Sequence, residues 1–260
     1  MSNMLTRAPN KSGRLLRTAA LIAGLAVPAQ AVFAQETQSM NQTATETPAS
    51  DSLSVRQQAI IPVAAFAAAG DIRGLNSALN EGLDAGMTIS DAREVLVQLY
   101  AYAGFPRSLN ALGELMKVVE QRKQQGIADA PGSEPSKAAP KGDALLQAGT
   151  ANQTELVGAT VAGPLFDFAP VANEYLRTHL FGDIFERDNL DWQSRELATV
   201  AMLSSISGAQ SQLKSHIGMS MNTGVTEAQL RQLIDVLASK VGQAQSEATQ
   251  AALEQHLSAN

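Results

Sequence analysis

The sequence predicts an all-α protein, and three observations support this fold class. Aromatic residues make up only 4% of the chain while alanine and leucine are abundant, which favours helices over a β-sandwich. The 260 residues, 45% of them apolar, suffice for one compact domain or one duplicated domain. Apolar residues also recur at intervals of three and four in both halves, as amphipathic helices require. Examples are Leu96, Leu99 and Tyr100, and Leu230, Leu233, Ile234 and Leu237.

Charge and cysteine content exclude several classes of function. The formal net charge is −6 and no strongly basic tract lies outside the N-terminus, so a nucleic-acid partner is not expected. Cysteine is absent, which excludes disulfides, thiolate metal sites, iron–sulfur clusters and thiol peroxidase chemistry. The three histidines have no metal-ligand spacing, so neither a metal nor another cofactor is expected.

The N-terminus has the form of a signal peptide. Four basic residues precede an apolar run of about ten residues, Thr18 to Val27, which is roughly half the length that crosses a bilayer. Small residues then offer cleavage after Ala31 or Ala34, and we favour Ala34. The prediction is a signal peptide over residues 1–34 and a periplasmic or secreted protein, soluble and free of the membrane after cleavage, with a net charge of −10. The alternative is an uncleaved anchor or an unstructured leader.

Two segments of low apolar content divide the remaining chain. Residues 35–52 are rich in Thr, Ser and Gln and are expected to be a disordered leader. Residues 123–150 contain three prolines among Gly, Ser, Ala and Lys and are interpreted as a linker. The linker separates a first unit, 53–122, from a second, 151–260.

The two units are related by an offset of 138 residues. Eight identities align without a gap, and both copies contain a Gly-x-Thr-x-x-(Asp/Gln) pattern, at 86–91 and at 224–229. In this pattern the glycine ends one helix, and the threonine and the polar residue form a capping box for the next. The alternative is that similar helix-ending and helix-capping residues occur at this offset by chance. The interpretation we favour is a tandem duplication.

The duplicated unit resembles the carboxymuconolactone decarboxylase family. The second unit carries an aromatic-Gly-acid-Ile-aromatic segment at 181–185, Arg-Glu-Leu at 195–197, a Gln-Leu-x-x-His helix at 212–216 and Gly-Val-Thr at 224–226. The first unit carries the signature Tyr-Ala-Gly-Phe-Pro at 102–106, followed by Asn-Ala. The resemblance implies an alkylhydroperoxidase D-like helical bundle with its two repeats packed as a pseudo-dimer. It also implies a homo-oligomer, as a trimer of two-repeat chains.

The candidate site combines residues from both repeats. The alkylhydroperoxidase branch has cysteines where this chain has Ala209 and Gln212, and the offset places Gln58 and Ala78 opposite Glu196 and His216 in the first repeat. We therefore expect one composite pocket. Residues 100–110 of the first repeat would form its wall, and Glu196 and His216 of the second repeat would supply its polar groups.

Glu196 and His216 are the predicted catalytic residues. Asp191 can cap a helix that begins at Trp192, and burial of Glu196 on its apolar face without a cation would favour a protonated carboxyl group, suited to general-acid work. One member of the pair would supply a proton and the other would stabilise an oxyanion, and the order is open. The alternatives are a helix-start charge or salt bridge for Glu196 and a boundary histidine for His216.

Five further residues are predicted to bind substrate: Arg107, Tyr102, Phe105, His179 and Gln212. An acidic protein needs local cations to receive a carboxylated substrate, and Arg107 and Arg195 are the candidates. Arg195 is interpreted rather as a surface arginine, because it points about 100° away from Glu196 on a helix. Tyr175 and Trp192 are interpreted as core anchors.

The predicted function is cofactor-free decarboxylation or proton transfer on a carboxylated cyclic small molecule such as a lactone, the work of a carbon–carbon lyase. The alternative is a non-catalytic periplasmic binding or scaffold protein of the same fold. An antioxidant role, as in the wider family, is disfavoured because the chain lacks cysteine.

Overall fold

The computed structural model describes residues 51–259. The predicted signal peptide and all but the last two residues of the predicted leader lie outside this range. None of the described helices is both long enough and apolar enough to cross a membrane.

The described residues form helices and connecting loops, without a β-strand among them. The first repeat contains α1 (Val55–Ala69), α2 (Ile72–Asp84), α3 (Ile89–Gln98) and α4 (Tyr100–Gln124). Four elements precede the helices of the second unit that have counterparts in the first: α5 (Asp143–Val157), α6 (Pro164–Phe168), α7 (Pro170–Tyr175) and a π-helix (Leu176–Ile184). The second repeat contains α8 (Trp192–Ser204), α9 (Gln210–Asn222), α10 (Glu227–Lys240) and α11 (Gln243–Leu257).

The helices repeat as the sequence predicts. A shift of 138 residues carries α1, α2 and α3 onto α8, α9 and α10. Thr88 and Thr226 begin α3 and α10 with complete capping boxes, which they form with Asp91 and Gln229. The preceding glycines have nearly equal φ angles, 91° at Gly86 and 92° at Gly224, a left-handed conformation that other residues seldom adopt. The tandem two-repeat prediction is confirmed.

Equivalent helices of the two repeats pack against each other. Helix α1 lies along α8, its counterpart, and both contribute to one hydrophobic core. Alanine is frequent in α1, so the two backbones can approach closely. The fully buried residues of this contact include Ile60, Ile61 and Ala64 of α1 with Leu197, Val200 and Ala201 of α8. The predicted all-α pseudo-dimer is therefore confirmed.

A buried ion cluster also joins the repeats. Glu94 on α3 accepts hydrogen bonds from Arg187, at 2.6 and 2.8 Å, and from Arg195 on α8, at 3.1 Å. Burial alone would raise the pKa of Glu94, but hydrogen bonds from Arg187 and the charge of Arg195 lower it to about 2. Arg195 is fully buried, so the interpretation of this residue as a surface arginine is wrong. Its partner Glu94 lies in the other repeat, where helical spacing around Arg195 could not reveal it.

The predicted linker is partly helical. Helix α4 extends to Gln124 and α5 begins at Asp143, so only the residues between them lack helical structure. Backbone N–H groups of Ile89 and Ser90 donate to the carbonyls of Ala130 and Pro131, which fixes this stretch to the start of α3. Helix α5 packs on the π-helix, and together they form one side of the site described next.

Candidate functional site

Glu196 is held inside the core by the start of α8. The Asp191 carboxylate caps this helix by accepting a hydrogen bond from the Ser194 backbone at 2.7 Å, as the sequence predicts. Glu196 therefore falls in the second turn, where its side chain is 0% exposed. Its Oε2 forms a hydrogen bond with His216 Nδ1, whereas Oε1 is buried without a hydrogen-bond partner among the described residues.

His216 lies on α9 and contacts Glu196 directly. Its Nδ1 is 2.7 Å from Glu196 Oε2, and both side chains are buried. An ionised carboxylate can only accept, so Nδ1 then carries the proton and the lone pair is on Nε2. Nε2 has no partner among the described residues, and His216 lines a cavity. Glu196 therefore fixes the orientation of the imidazole through Nδ1. The opposite ring nitrogen, Nε2, can exchange a proton with a ligand.

Tyr102 belongs to the first repeat and contacts His216 of this pair. Its ring meets the His216 imidazole edge to face, with centroids 5.6 Å apart, and its hydroxyl lies 3.3 Å from Thr199 Oγ1. Burial is the main cause that raises the pKa of Tyr102, and the charge of Glu196 raises it further. The hydroxyl therefore stays neutral. Tyr102 therefore packs against the imidazole as a neutral aromatic group.

The cavity in front of His216 has a volume of about 1400 Å³ and opens to solvent. Its walls come from the start of α4, from α9 and from the region between the repeats. All three histidines of the chain line it, and among residues 51–259 no aspartate or glutamate does. An acidic protein thus presents a cavity wall without acidic side chains, which suits an anionic ligand. The charged and polar side chains of the wall include His179, Gln212, Lys214, His216 and His256.

Lys214 is a cation of this wall that is not among the residues predicted from the sequence. It lies two residues before His216 on α9, and its ammonium group makes no ion pair among the described residues. A lysine that follows a Gln-Leu pair is not distinctive by type or spacing. The signal that the sequence offers is its place between Gln212 and His216, two predicted site residues.

The structure brings some of the other predicted residues together. Tyr102, His179 and Gln212 line the same cavity as His216. His179 also contacts Asp183, at 3.1 Å from Nδ1 to Oδ2, one helical turn away. Glu196 does not line the cavity and reaches it through His216.

Two predicted substrate-binding residues lie elsewhere. The Arg107 guanidinium donates to the carbonyl of Ala68 and is not part of the cavity wall. Phe105 is 60% exposed and stacks on Tyr100, with ring centroids 4.5 Å apart. Gly104, at φ 81°, breaks α4 and ends the segment that faces the cavity, so only the residues before it line the wall.

Tyr175 and Arg195 also differ from their interpretations. Tyr175 is exposed and lines the cavity wall, so the interpretation of this residue as a core anchor is wrong. The Arg195 guanidinium bonds Glu94 and Gln98 behind the site. Trp192 is half-buried and donates to the Phe185 carbonyl at 3.0 Å. Within residues 51–259 no group of three His, Asp or Glu side chains has a metal-binding arrangement.

The site occurs once in the duplicated fold. At the counterpart positions of the first repeat, Gln58 donates to the Leu53 carbonyl at 2.9 Å and Ala78 is a buried core residue. No second polar pair can form there, as the sequence predicts.

Comparison with known proteins agrees with the duplicated fold. The model of the carboxymuconolactone decarboxylase family matches the chain twice, over residues 33–116 and 170–255. These stretches contain most of the first and second repeats. No curated protein matches the chain. With two family matches that together span more than half of the sequence, this cysteine-free, two-repeat chain belongs to the carboxymuconolactone decarboxylase family.

Proposed function

We propose that the protein catalyses cofactor-free decarboxylation or proton transfer on a carboxylated cyclic small molecule such as a lactone. The observation that carries the proposal is the 2.7 Å contact between Glu196 and His216, behind a cavity wall to which the described residues contribute no acidic side chain. In this proposal His216 is the catalytic residue. Glu196 is a positioning residue, because it acts through the imidazole.

The proposed decarboxylation needs one group that donates a proton to carbon and one that donates a hydrogen bond to the oxyanion. The bond between the ring carbon and the carboxylate breaks, carbon dioxide leaves, and the electron pair moves toward a conjugated carbonyl oxygen. The His216 imidazolium then donates its Nε2 proton to carbon, and solvent returns a proton to the imidazole. The Glu196 carboxylate stabilises the imidazolium. The Gln212 amide, one turn before His216 on the cavity wall, donates to the oxyanion.

Substrate recognition is assigned to Lys214 in place of the two arginines. Lys214 lines the same cavity as His216, from the opposite edge of α9, and its ammonium group would attract a carboxylate into the cavity. Arg107 and Arg195 are bonded to other groups, away from the cavity. This assignment accounts for the entry of an anion into an acidic protein.

The test is an assay of the full-length protein against carboxylated lactones and cyclic ketoacids, with carbon dioxide and ultraviolet absorbance as readouts. We expect turnover that falls at least about 10³-fold in His216→Asn and about 10²-fold or more in Glu196→Gln, with KM little changed in Glu196→Gln. Glu254→Gln, at an exposed glutamate of α11, is the matched control and should retain full activity. Equal turnover in wild type and His216→Asn would refute the assignment.

The second candidate is a non-catalytic binding protein of the same fold. The observation that favours it is the absence of the polar pair from the first repeat, where Gln58 and Ala78 stand instead. Ligand binding without turnover by any substrate of the panel would support this candidate.

The proposal also covers location and assembly. Export to the periplasm follows from the signal peptide predicted over residues 1–34, and cell fractionation tests it. Self-association of the chain as a trimer is expected of the family. It is supported by one face of α4, where Phe105, Leu109 and Met116 are all exposed at helical spacing.

A further inference from the structure

The wall of the cavity is made of two chemically different parts. Helix α9 contributes Gln212, Lys214 and His216, whereas α6 and the π-helix contribute, apart from His179, aliphatic and aromatic side chains. The apolar part consists mainly of Leu165, Phe166, Leu176, Leu180 and Phe181. A ligand that satisfies the whole wall therefore needs both an anionic group and an apolar body.

The cavity is also large for a compact ring. Sites that enclose a drug-sized molecule usually have volumes of about 300–1000 Å³, and this cavity has about 1400 Å³. A single-ring lactone bound at Lys214 and His216 would leave most of the apolar wall in contact with water. Apolar surface that stays hydrated contributes nothing to affinity, so the wall indicates a larger apolar ligand.

The apolar surface continues to the rim of the cavity. Leu165 and Tyr175 line the cavity and are also exposed, and Phe168 in the same stretch is 89% exposed. Exposed apolar side chains at the rim of a cavity are a feature of ligand-binding grooves. A ligand that extends from the cavity would cover these side chains.

We propose that the ligand is an amphipathic carboxylic acid with an apolar body larger than one ring. Its carboxylate binds the Lys214 ammonium at the edge of α9 that lines the cavity, and its body lies along α6 and the π-helix. The inference rests on the proposed function, because it uses the same cavity and the same cation, and it narrows the class of substrate.

The experiment measures binding alone. Butanoate, hexanoate, octanoate and decanoate are titrated into the full-length protein by calorimetry, below their micellar concentrations. We expect the affinity to rise about two- to fourfold for each added methylene, as burial of a hydrocarbon chain requires. Methyl decanoate should bind at least tenfold more weakly than decanoate. Phe166→Ala should reduce the dependence on chain length.

Lys214→Met should remove the preference for decanoate over its methyl ester. The matched control is Lys123→Met, at an exposed lysine near the end of α4, which should keep the preference. If the Lys214 variant does not fold, the comparison of acid with ester in the wild type still decides the role of charge. Equal affinities across the acid series, or equal affinities for decanoate and its ester, would overturn the inference.

The outcomes separate this inference from the proposed function. Chain-length-dependent binding without turnover of any substrate would support the inference and count against catalysis. Turnover of a compact lactone by a protein whose affinity ignores chain length would support catalysis and overturn the inference.

Discussion

Tyr102 of the first repeat and His216 of the second meet edge to face, with ring centroids 5.6 Å apart and an angle of 79° between the planes. Neither repeat alone therefore contains the candidate site. The polar pair comes from α8 and α9, and the aromatic ring that packs against the imidazole comes from the start of α4.

The first prediction concerns the Tyr102 ring. Tyr102→Ala should lower kcat about 10- to 100-fold, because the imidazole loses a packing partner that fixes its orientation. It should also lower the free energy of unfolding by about 2 kcal/mol, as removal of a partly buried aromatic ring does. The measurements are steady-state kinetics with a substrate from the panel and urea unfolding.

Tyr102→Phe is the matched control for this prediction. It keeps the ring and removes only the hydroxyl that lies 3.3 Å from Thr199, so it should cost about 1 kcal/mol and leave kcat within about threefold. A large loss of activity in the phenylalanine variant would instead assign the hydroxyl a direct part in the chemistry.

The second prediction concerns acid stability through Glu94. Burial opposes ionisation, but hydrogen bonds from Arg187 and the charge of Arg195 hold the pKa of Glu94 at about 2, below its ordinary 4.5. A carboxyl group whose pKa is lower in the folded state stabilises that state when ionised. Its contribution is therefore complete above about pH 4.5 and is lost as the pH falls toward 2.

Glu94→Gln measures this contribution. It leaves Arg195 buried without its carboxylate, so we expect a loss of about 3 kcal/mol at pH 7 in urea unfolding. The difference from wild type should shrink between pH 4.5 and 2. Glu120→Gln, at an exposed position of α4, should change stability little. A difference that stays constant down to pH 2 would show that Glu94 is not the group responsible.

The helices and their starts were predictable because caps are local features. Thr88, Asp191 and Thr226 each cap the helix that the sequence assigns to them. The proximity of Glu196 and His216 also followed, since their helices are consecutive and both residues lie beside apolar stripes. These predictions used only spacing within a helix or between neighbours in the chain.

The burial of Arg195 and the role of Lys214 were not predictable in the same way. Arg195 is buried because Glu94, 101 residues away, neutralises it, and helical spacing carries no information at that distance. Lys214 faces the cavity only because the region between the repeats packs beside α9. The elements that form the opposite wall lie about 30 residues or more before Lys214 in the chain, so helical spacing around Lys214 carries no information about them.

The third prediction concerns the packing of α5 on the π-helix. A Cβ atom at Gly149 would lie 1.7 Å from the Arg177 carbonyl oxygen, so Gly149→Ala must push these elements apart. We expect a loss of about 2–3 kcal/mol and weaker ligand binding, since both elements border the cavity. Thermal unfolding and calorimetry measure the two effects.

Gly113→Ala is the matched control, because a Cβ at this position of α4 meets no atom within 4 Å. It should stabilise the protein by up to about 1 kcal/mol through the higher helix propensity of alanine. Destabilisation by both substitutions to the same degree would mean that the contact at Gly149 is not the cause.

The last prediction concerns assembly through the exposed face of α4. Leu109 is 62% exposed, so its replacement by glutamate should cost little folding free energy and act on association instead. Light scattering at micromolar concentration should give the mass of a trimer for the wild type and of a monomer for Leu109→Glu. Gln121→Glu, at another exposed position of the same helix, adds the same charge and should leave the trimer intact. A monomeric wild type would refute self-association, and a trimeric Leu109→Glu would place the contact elsewhere on the surface.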